Sequence, residues 1–302
     1  MGRILTPLTR RAFLALPAFA AAQDVTFKTD VSLVRLLVTV KNASGELIGG
    51  LEQTDFSITD NGAPQSVAVF ERRTAQPLSV VLALDISGST ASNLKYQTDS
   101  LTRFSKALFA DGNPDDAAAV ITFNWEVVRR ANFTRKLSTI ESSLRHLKAE
   151  AGTSLYDGIL LSADELQRRE GRRVLVLITD GGDTTSTTDF HKALEVAHKA
   201  DAVIYSILIV PITNDSGRNV GGENALTQFS NGTGGRVFLP TIGPALDAAF
   251  ATILRDLRTQ YLVGYYPKAV PLSKNRFHTV KLSLRDPALT AQTRTGYYGA
   301  AL

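Results

Sequence analysis

The sequence predicts an α/β protein with a doubly wound, mostly parallel sheet flanked by helices, and a β-sandwich formed from its N- and C-terminal segments. Three observations carry this. Between residues 76 and 258, short continuous apolar runs alternate with stretches whose apolar residues recur at helical spacing, the pattern of strand–helix units around a parallel sheet. The segments on either side, 23–75 and 259–302, read as short strands divided by turn clusters, without helices. The run from Leu78 to Leu84 shows no polar alternation, so it reads as a strand buried on both faces, and it ends in the polar loop Asp85-Ile86-Ser87-Gly88-Ser89-Thr90.

The chain has 302 residues, 44% hydrophobic and 21% charged, enough for one large or two ordinary domains with a substantial core. Thr9-Arg10-Arg11-Ala12-Phe13-Leu14 leads into an apolar run ending in Ala20-Ala21-Ala22, which has the basic, apolar and small-residue parts of a secretory signal. The paired arginines before Phe13 and Leu14 give residues 1–22 the look of a twin-arginine export signal. A buried first helix is the alternative, but the run is too short to span a membrane and ends in alanines. The expected location is therefore outside the cytoplasm, periplasmic or extracellular.

Without that segment the charge argument changes. The formal charge of the whole chain is +4, but residues 1–22 hold three arginines and no acid, leaving 30 basic against 29 acidic side chains. That balance is no nucleic-acid footprint. The absence of cysteine excludes a disulfide framework and thiolate metal sites. No later stretch is long and apolar enough for a transmembrane helix.

Val31–Val40, rich in β-branched residues, stops at the turn cluster Asn42-Ala43-Ser44-Gly45. Phe56–Thr59 follows, then Asp60-Asn61-Gly62, whose Asn-Gly suits a tight hairpin, and Val67–Phe70 completes the set. A few strands alone make a poor core. Tyr261–Tyr266, Phe277–Leu284 and Gln292–Tyr298 read as three more strands with prolines confined to the connections, so 259–302 is expected to pack with 23–75. The α/β domain, 76–258, is then inserted between the two. Within it, helical spacing marks Leu94-Leu101-Phe104-Leu108, Leu137-Ile140-Leu144-Leu147, Leu155-Ile159-Ala163-Leu166 and Leu246-Phe250-Ile253-Leu257. Ala118–Phe123, Arg173–Thr179 and Ala202–Leu208 read as buried parallel strands.

Such sheets bind ligands at the carboxyl edge of their strands. Asp85, Ser87 and Ser89 stand there, and their oxygens suit a small hard cation; alone, the pattern reads equally as Ser89 or Thr90 capping the next helix. Two further loops fall at the same edge: Gly152-Thr153-Ser154, and Asp180-Gly181-Gly182-Asp183. Asp85, Ser87, Ser89, Thr153 and Asp180 are thus expected to converge on one point.

This set, with Asp180 in Ile178-Thr179-Asp180-Gly181, resembles the metal-ion-dependent adhesion site of von Willebrand factor type A domains, and all five positions are filled. Asp157 and the strand Val120–Phe123 also stand where that family places similar residues. The chain beyond residue 22 is similar to exported bacterial proteins carrying a related domain, through Asp55-Phe56, Asp60-Asn61-Gly62, Tyr265-Tyr266-Pro267 and Gly296-Tyr297-Tyr298. The resemblance implies that Ser87, Ser89 and Thr153 offer hydroxyl oxygens to a metal ion while Asp85 and Asp180 act directly or through water. Magnesium is the expected ion, with manganese or calcium as alternatives.

The functional expectation is an exported, metal-dependent protein-binding or adhesion module that grips an acidic side chain of a protein partner. One alternative is a structural or assembly protein of the cell envelope whose metal site is not essential. Another is a metal-assisted hydrolase, against which stands the lack of a positioned acid/base pair, a nucleophile elbow or a phosphate-binding glycine loop. The expectation is therefore not an enzyme. Of the remaining polar residues, Asp183 reads as a solvent-facing turn residue, with a carboxylate that orients the loop as the alternative, Asp115 and Asp116 as turn residues before a strand, and His191 and His198 as one solvated helical face. Trp125 reads as buried, with a hairpin edge or an exposed contact as the alternatives.

Overall fold

Strict alternation shapes the first strand, β1 (Val34–Lys41), into a two-sided staple. Its buried Val34, Leu36, Val38 and Val40 enter one core, while Leu37 on the opposite face packs into another. The computed structural model describes residues 33–73, 75–110, 112–209, 219–241, 243–271 and 276–299; the proposed signal, residues 1–22, lies outside them.

After β1 come β2 (Phe56–Asp60), β3 (Ala63–Gln65) and β4 (Val69–Glu71). Asn61 and Gly62 join β2 to β3 with positive φ of 46° and 84°, the conformation an Asn-Gly hairpin turn requires. The central strand β5 (Leu78–Asp85) is buried along its whole length. It is followed by a 3-10 turn (Gly88–Asn93), α1 (Leu94–Ala110), β6 (Ala117–Phe123) and β7 (Val127–Thr134). Next are α2 (Leu137–Ser143), α3 (Leu155–Gln167), β8 (Arg172–Thr179), α4 (Phe190–Lys199) and β9 (Ala202–Leu208). The chain continues through α5 (Val220–Thr233), β10 (Val237–Phe238) and α6 (Pro244–Thr259). It closes with β11 (Tyr261–Tyr265), β12 (Phe277–Leu284), β13 (Thr290–Gln292) and β14 (Gly296–Tyr298).

Six strands in the order β10-β9-β8-β5-β6-β7 form the central sheet, parallel except for the edge strand β7. Side chains alternate along β5: Leu78, Val80, Leu82 and Leu84 face a core with α1, α2 and α6, and Val81 and Ala83 face one with α3, α4 and α5. Each such Leu or Val removed from water contributes roughly 1.5–3 kcal/mol. The chain leaves β5 toward β6 on one side and returns to β8 on the other, so the topological switch point lies between the carboxyl ends of β5 and β8.

The ends of the chain build the sandwich. One sheet runs β13-β1-β11-β4 and the other β14-β12-β2-β3, with Val34, Leu36, Phe56, Ile58, Val263 and Val280 between them. A buried carboxylate, Asp60, is tied there to three side chains: Tyr265 Oη donates at 2.9 Å, Tyr297 Oη at 2.8 Å, and His278 Nδ1 lies at 3.1 Å. The outer face of β1 and the last strands then grip the α/β domain through ions. Lys41 pairs at 3.2 Å with the buried Asp256 of α6, which also pairs at 3.0 Å with Arg236 of the α/β domain itself, and Arg35 and Arg294 both pair with Asp201, at 3.4 and 2.6 Å.

Several expectations need correction. Helix α2 stops at Ser143, with Leu144 as its cap and Leu147 beyond it. The strand β7 and the helix α5 were not read from the pattern; β7 is an edge strand with a bulged register, so its apolar alternation is broken. Asp116 is more than a turn residue, because its buried carboxylate accepts the Leu78 N–H at 2.7 Å and fixes the start of β5. His198 does not share a solvated face with His191. It is buried where α4 meets the sandwich, with Phe277 and Tyr298 rings 5.2 and 6.3 Å away.

Two outcomes follow from this packing. Tyr265→Phe removes a hydrogen bond to a buried carboxylate and should cost about 1.5–3 kcal/mol, read as a lower urea midpoint at unchanged slope. Burial, helped by the positive charge of Arg294, lowers the His198 pKa to about 4. The unfolded chain then binds this proton first, so His198 contributes stability above about pH 6.5 that is lost as pH falls toward 4, by up to about 3 kcal/mol. His198→Phe should flatten that part of the pH–stability curve in chemical denaturation.

Candidate metal centre

The site begins with a carboxylate that burial should penalise. Asp85 ends β5 with no exposed surface, and its two oxygens are taken up by neutral donors: the Ser87 N–H at 2.8 Å and the Thr179 hydroxyl at 2.6 Å. Burial pushes its pKa up to about 6; hydrogen bonds from Ser87 and Thr179 oppose the rise, and the negative charge of Asp180 adds to it. Neither Asp85 nor Asp180 forms an ion pair among the described residues.

The loop after β5 turns its hydroxyls together. Ser87 and Ser89 Oγ lie 3.0 Å apart, Ser87 largely buried and Ser89 exposed. The helix-capping alternative is not what these side chains do. Ser87 holds the cap position of the 3-10 turn without a side-chain capping bond, and the Thr90 hydroxyl donates back to the carbonyls of Asp85 and Ser87, at 3.1 and 2.9 Å. Thr90 thereby pins the loop and leaves Ser87 and Ser89 available as donors.

Two more loops are bolted to the same edge. Glu150 N donates to Ile86 O at 3.1 Å, drawing the segment before α3 alongside Ser87. Thr153 is buried, and its backbone exchanges bonds with Thr184: Thr153 N donates to Thr184 Oγ1 at 2.9 Å, and Thr184 N donates to Thr153 O at 2.8 Å. The Thr153 hydroxyl and the Asp180 carboxylate are nearly unused, the latter accepting only a long bond from Gly182 N at 3.4 Å among the described residues. Asp85 is thus in contact with Ser87, and Ser87 with Ser89; Asp180 acts on Asp85 through its charge, and the Thr153 loop is tied to the loop that follows Asp180.

Asp183 is a working part of this scaffold rather than a solvent-facing turn residue: its Oδ1 accepts Ser186 Oγ at 2.6 Å and the Tyr156 N–H at 3.2 Å. Asp157, in the first turn of α3, accepts the N–H groups of Thr187 and Thr188, each at 2.9 Å. Burial alone would raise its pKa, but these bonds more than offset that and hold it below the usual carboxylate range. Thr179, Thr184 and Ser186 escaped sequence reading; the one signal for them was the polar run that follows Ile178. Trp125 is 59% exposed beside this edge, contrary to its expected burial, because its indole N–H reaches out to Glu150 Oε2 at 3.3 Å.

All five candidate donors are oxygens, two carboxylates and three hydroxyls. Among the described residues no group of three or more His, Cys, Asp or Glu gathers as a metal cluster. A site built mostly on hydroxyls is not of that kind, and its donors fit a hard cation such as magnesium rather than zinc or copper. The uncompensated pair of carboxylates fits the same ion.

Comparison with known proteins agrees with this architecture. Residues 80–183 match the model of the von Willebrand factor type A domain family. No curated protein matches the chain. Among solved structures, the vWF domain of the type V pili tip protein Mfa5 from Porphyromonas gingivalis is similar at 15% identity and a TM-score of 0.51, covering 60% of this chain and 95% of that one. The pilus adhesin SpaC from Lactobacillus rhamnosus GG, in its open conformation, gives 10% identity and a TM-score of 0.51 over 80% of this chain and 47% of that one. BatB from Bacteroides thetaiotaomicron shares 16% identity over 60% of this chain and 98% of its own, with a TM-score of 0.48.

The Thr153 loop depends on Gly152, which has φ +82° and whose added Cβ would lie 2.8 Å from Trp125 Cβ. Gly152→Ala should destabilise the protein by at least about 1 kcal/mol, measured by denaturant melting, because both backbone strain and the Trp125 contact oppose it.

Proposed function

We propose that this chain, whose α/β unit is a von Willebrand factor type A domain, is an exported protein-binding module that uses a divalent cation to grip a carboxylate of a protein partner. The observation that carries the reading is the Asp85 carboxylate, buried without a basic partner among the described residues, under the negative charge of Asp180 and bonded to Ser87, whose hydroxyl in turn meets that of Ser89 at 3.0 Å. Asp85, Ser87, Ser89, Thr153 and Asp180 are the residues that would hold the ion. When bound, a magnesium ion held largely by neutral oxygens keeps much of its charge and can accept one more oxygen from outside.

The chain's own residues do the rest. Thr179 and the Ser87 N–H orient Asp85, Thr90 fixes the loop, and the Thr153–Thr184 exchange ties two loops to one edge. This rigidity matters because donors that are already placed lose little entropy on binding. Further support comes from the names of two proteins of this fold, a pili tip protein and a pilus adhesin. The arginine-paired N-terminal segment supports export. No helix among the described residues is long and apolar enough to cross a membrane.

Calorimetric titration of chelator-stripped protein with magnesium, manganese and calcium tests the reading. Saturable binding is expected in the native chain, absent in Asp85→Ala and weakened in Thr153→Ala. At a hundredfold excess of ion over Kd, the folded state should gain about 2.7 kcal/mol. Absence of binding to all three ions overturns the proposal.

A further inference from the structure

A second feature lies against the same loop. A cleft of roughly 430 Å³ shares one wall with the site, formed by Ile86, which stands between Asp85 and Ser87, and by Glu150, which bridges to Ser87. Its opposite side presents three cations, Arg130 from β7 and Arg145 and Lys148 from the segment after α2.

These three are exposed, and none forms an ion pair among the described residues. The contrast with neighbours is informative: Arg129, one residue from Arg130, pairs with Glu165 at 2.5 Å, and Arg168 pairs with Asp164 at 2.6 Å. Two carboxylates also line the cleft, Glu126 and Glu150, and Glu150 is already directed at Trp125 Nε1 and Asn124 Nδ2, at 3.3 and 3.4 Å. Glu126 and Glu150 offset part of the charge of the three cations, and a concave surface focuses the field of the positive excess that is left and raises the local concentration of anions.

We infer that this cleft is a second contact for the partner, taking an acidic peptide segment whose further carboxylate sits on Arg145 and Lys148 while another occupies the metal site; the inference rests on the function proposed above. The volume is that of a pocket for a small ligand or a few side chains. Trp125 stands beside it, exposed and with its indole N–H held by Glu150, so it offers an aromatic anchor of the kind that dominates protein interfaces. A nucleic acid would find few further cations, since the basic and acidic side chains beyond residue 22 nearly balance.

The test is fluorescence anisotropy of full-length protein with a labelled hexaglutamate peptide at low ionic strength, with magnesium and with chelator. Arg145→Glu combined with Lys148→Glu should weaken the peptide by at least about tenfold, while magnesium affinity, read by calorimetry, stays unchanged. Asp85→Ala should lose the magnesium-dependent part of binding and keep a salt-sensitive remainder. If no ion binds the native protein, the function proposed above fails, and the chelator arm still decides this inference: loss of peptide binding on charge reversal supports it. Equal peptide affinity of native and charge-reversed protein overturns it, as does an absence of peptide binding. Preferential binding of an oligonucleotide of equal charge overturns it as well.

Discussion

The structure turns on a carboxylate placed where a carboxylate should not be comfortable. Asp85 is the last residue of a strand buried along its whole length, and Asp180 directly follows the end of the neighbouring strand. Taking a charge out of water without a counter-ion is costly unless hydrogen bonds or a metal offset it. The surrounding sequence supplies only neutral donors: the Ser87 amide and the Thr179 hydroxyl. Those donors hold the side chain in place without cancelling its charge. The residual negative potential at the switch point is therefore a property of the fold, and it requires the whole central sheet to be in register.

That requirement explains how much of the edge is devoted to holding loops rather than offering donors. Thr90, Thr184, Ser186, Asp157 and Asp183 each spend their side chains on backbone or hydroxyl partners within three loops. The side chains that hold the loops and those that stand as candidate donors therefore overlap, because Asp85 and Ser87 do both. The Thr153 hydroxyl and the Asp180 carboxylate are nearly idle among the described residues, whereas the Ser87 and Ser89 hydroxyls already share a hydrogen bond.

The sandwich poses a different problem, that of joining two ends of a chain separated by the whole α/β domain. Its answer is polar. Asp60 follows Phe56-Ser57-Ile58-Thr59 and gathers Tyr265 and Tyr297 from distant strands, so the Asp-Asn-Gly, Tyr-Tyr-Pro and Gly-Tyr-Tyr stretches meet in one buried cluster. The spacing of apolar residues alone could not show this convergence; it showed only that strands existed at both ends. That the two end segments join was legible because the N-terminal strands lacked a core of their own, but which strands pair, such as β1 with β11, was not.

What was readable in the sequence, and what was not, divides along the same physical line. Continuous apolar runs announce a parallel core because burial on both faces demands them, and β5, β6, β8 and β9 stand as read. That Asp85, Ser87, Ser89 and Asp180 stand in loops at the carboxyl edge was legible because short polar loops must follow such strands. Residues whose setting is decided by the neighbouring layer were not: His198 is buried only because α4 meets Phe277 and Tyr298, and Trp125 is exposed only because Glu150 holds its indole outward. Arg130, Arg145 and Lys148 belong to that second class, since nothing in their spacing separates them from Arg129 or Arg168. Only the fold shows which of these cations have acidic neighbours and which face an open cleft. Where local pattern and tertiary surroundings diverge in this way, the charge of a surface is set by which side chains the fold gathers, here three cations against two carboxylates in one cleft.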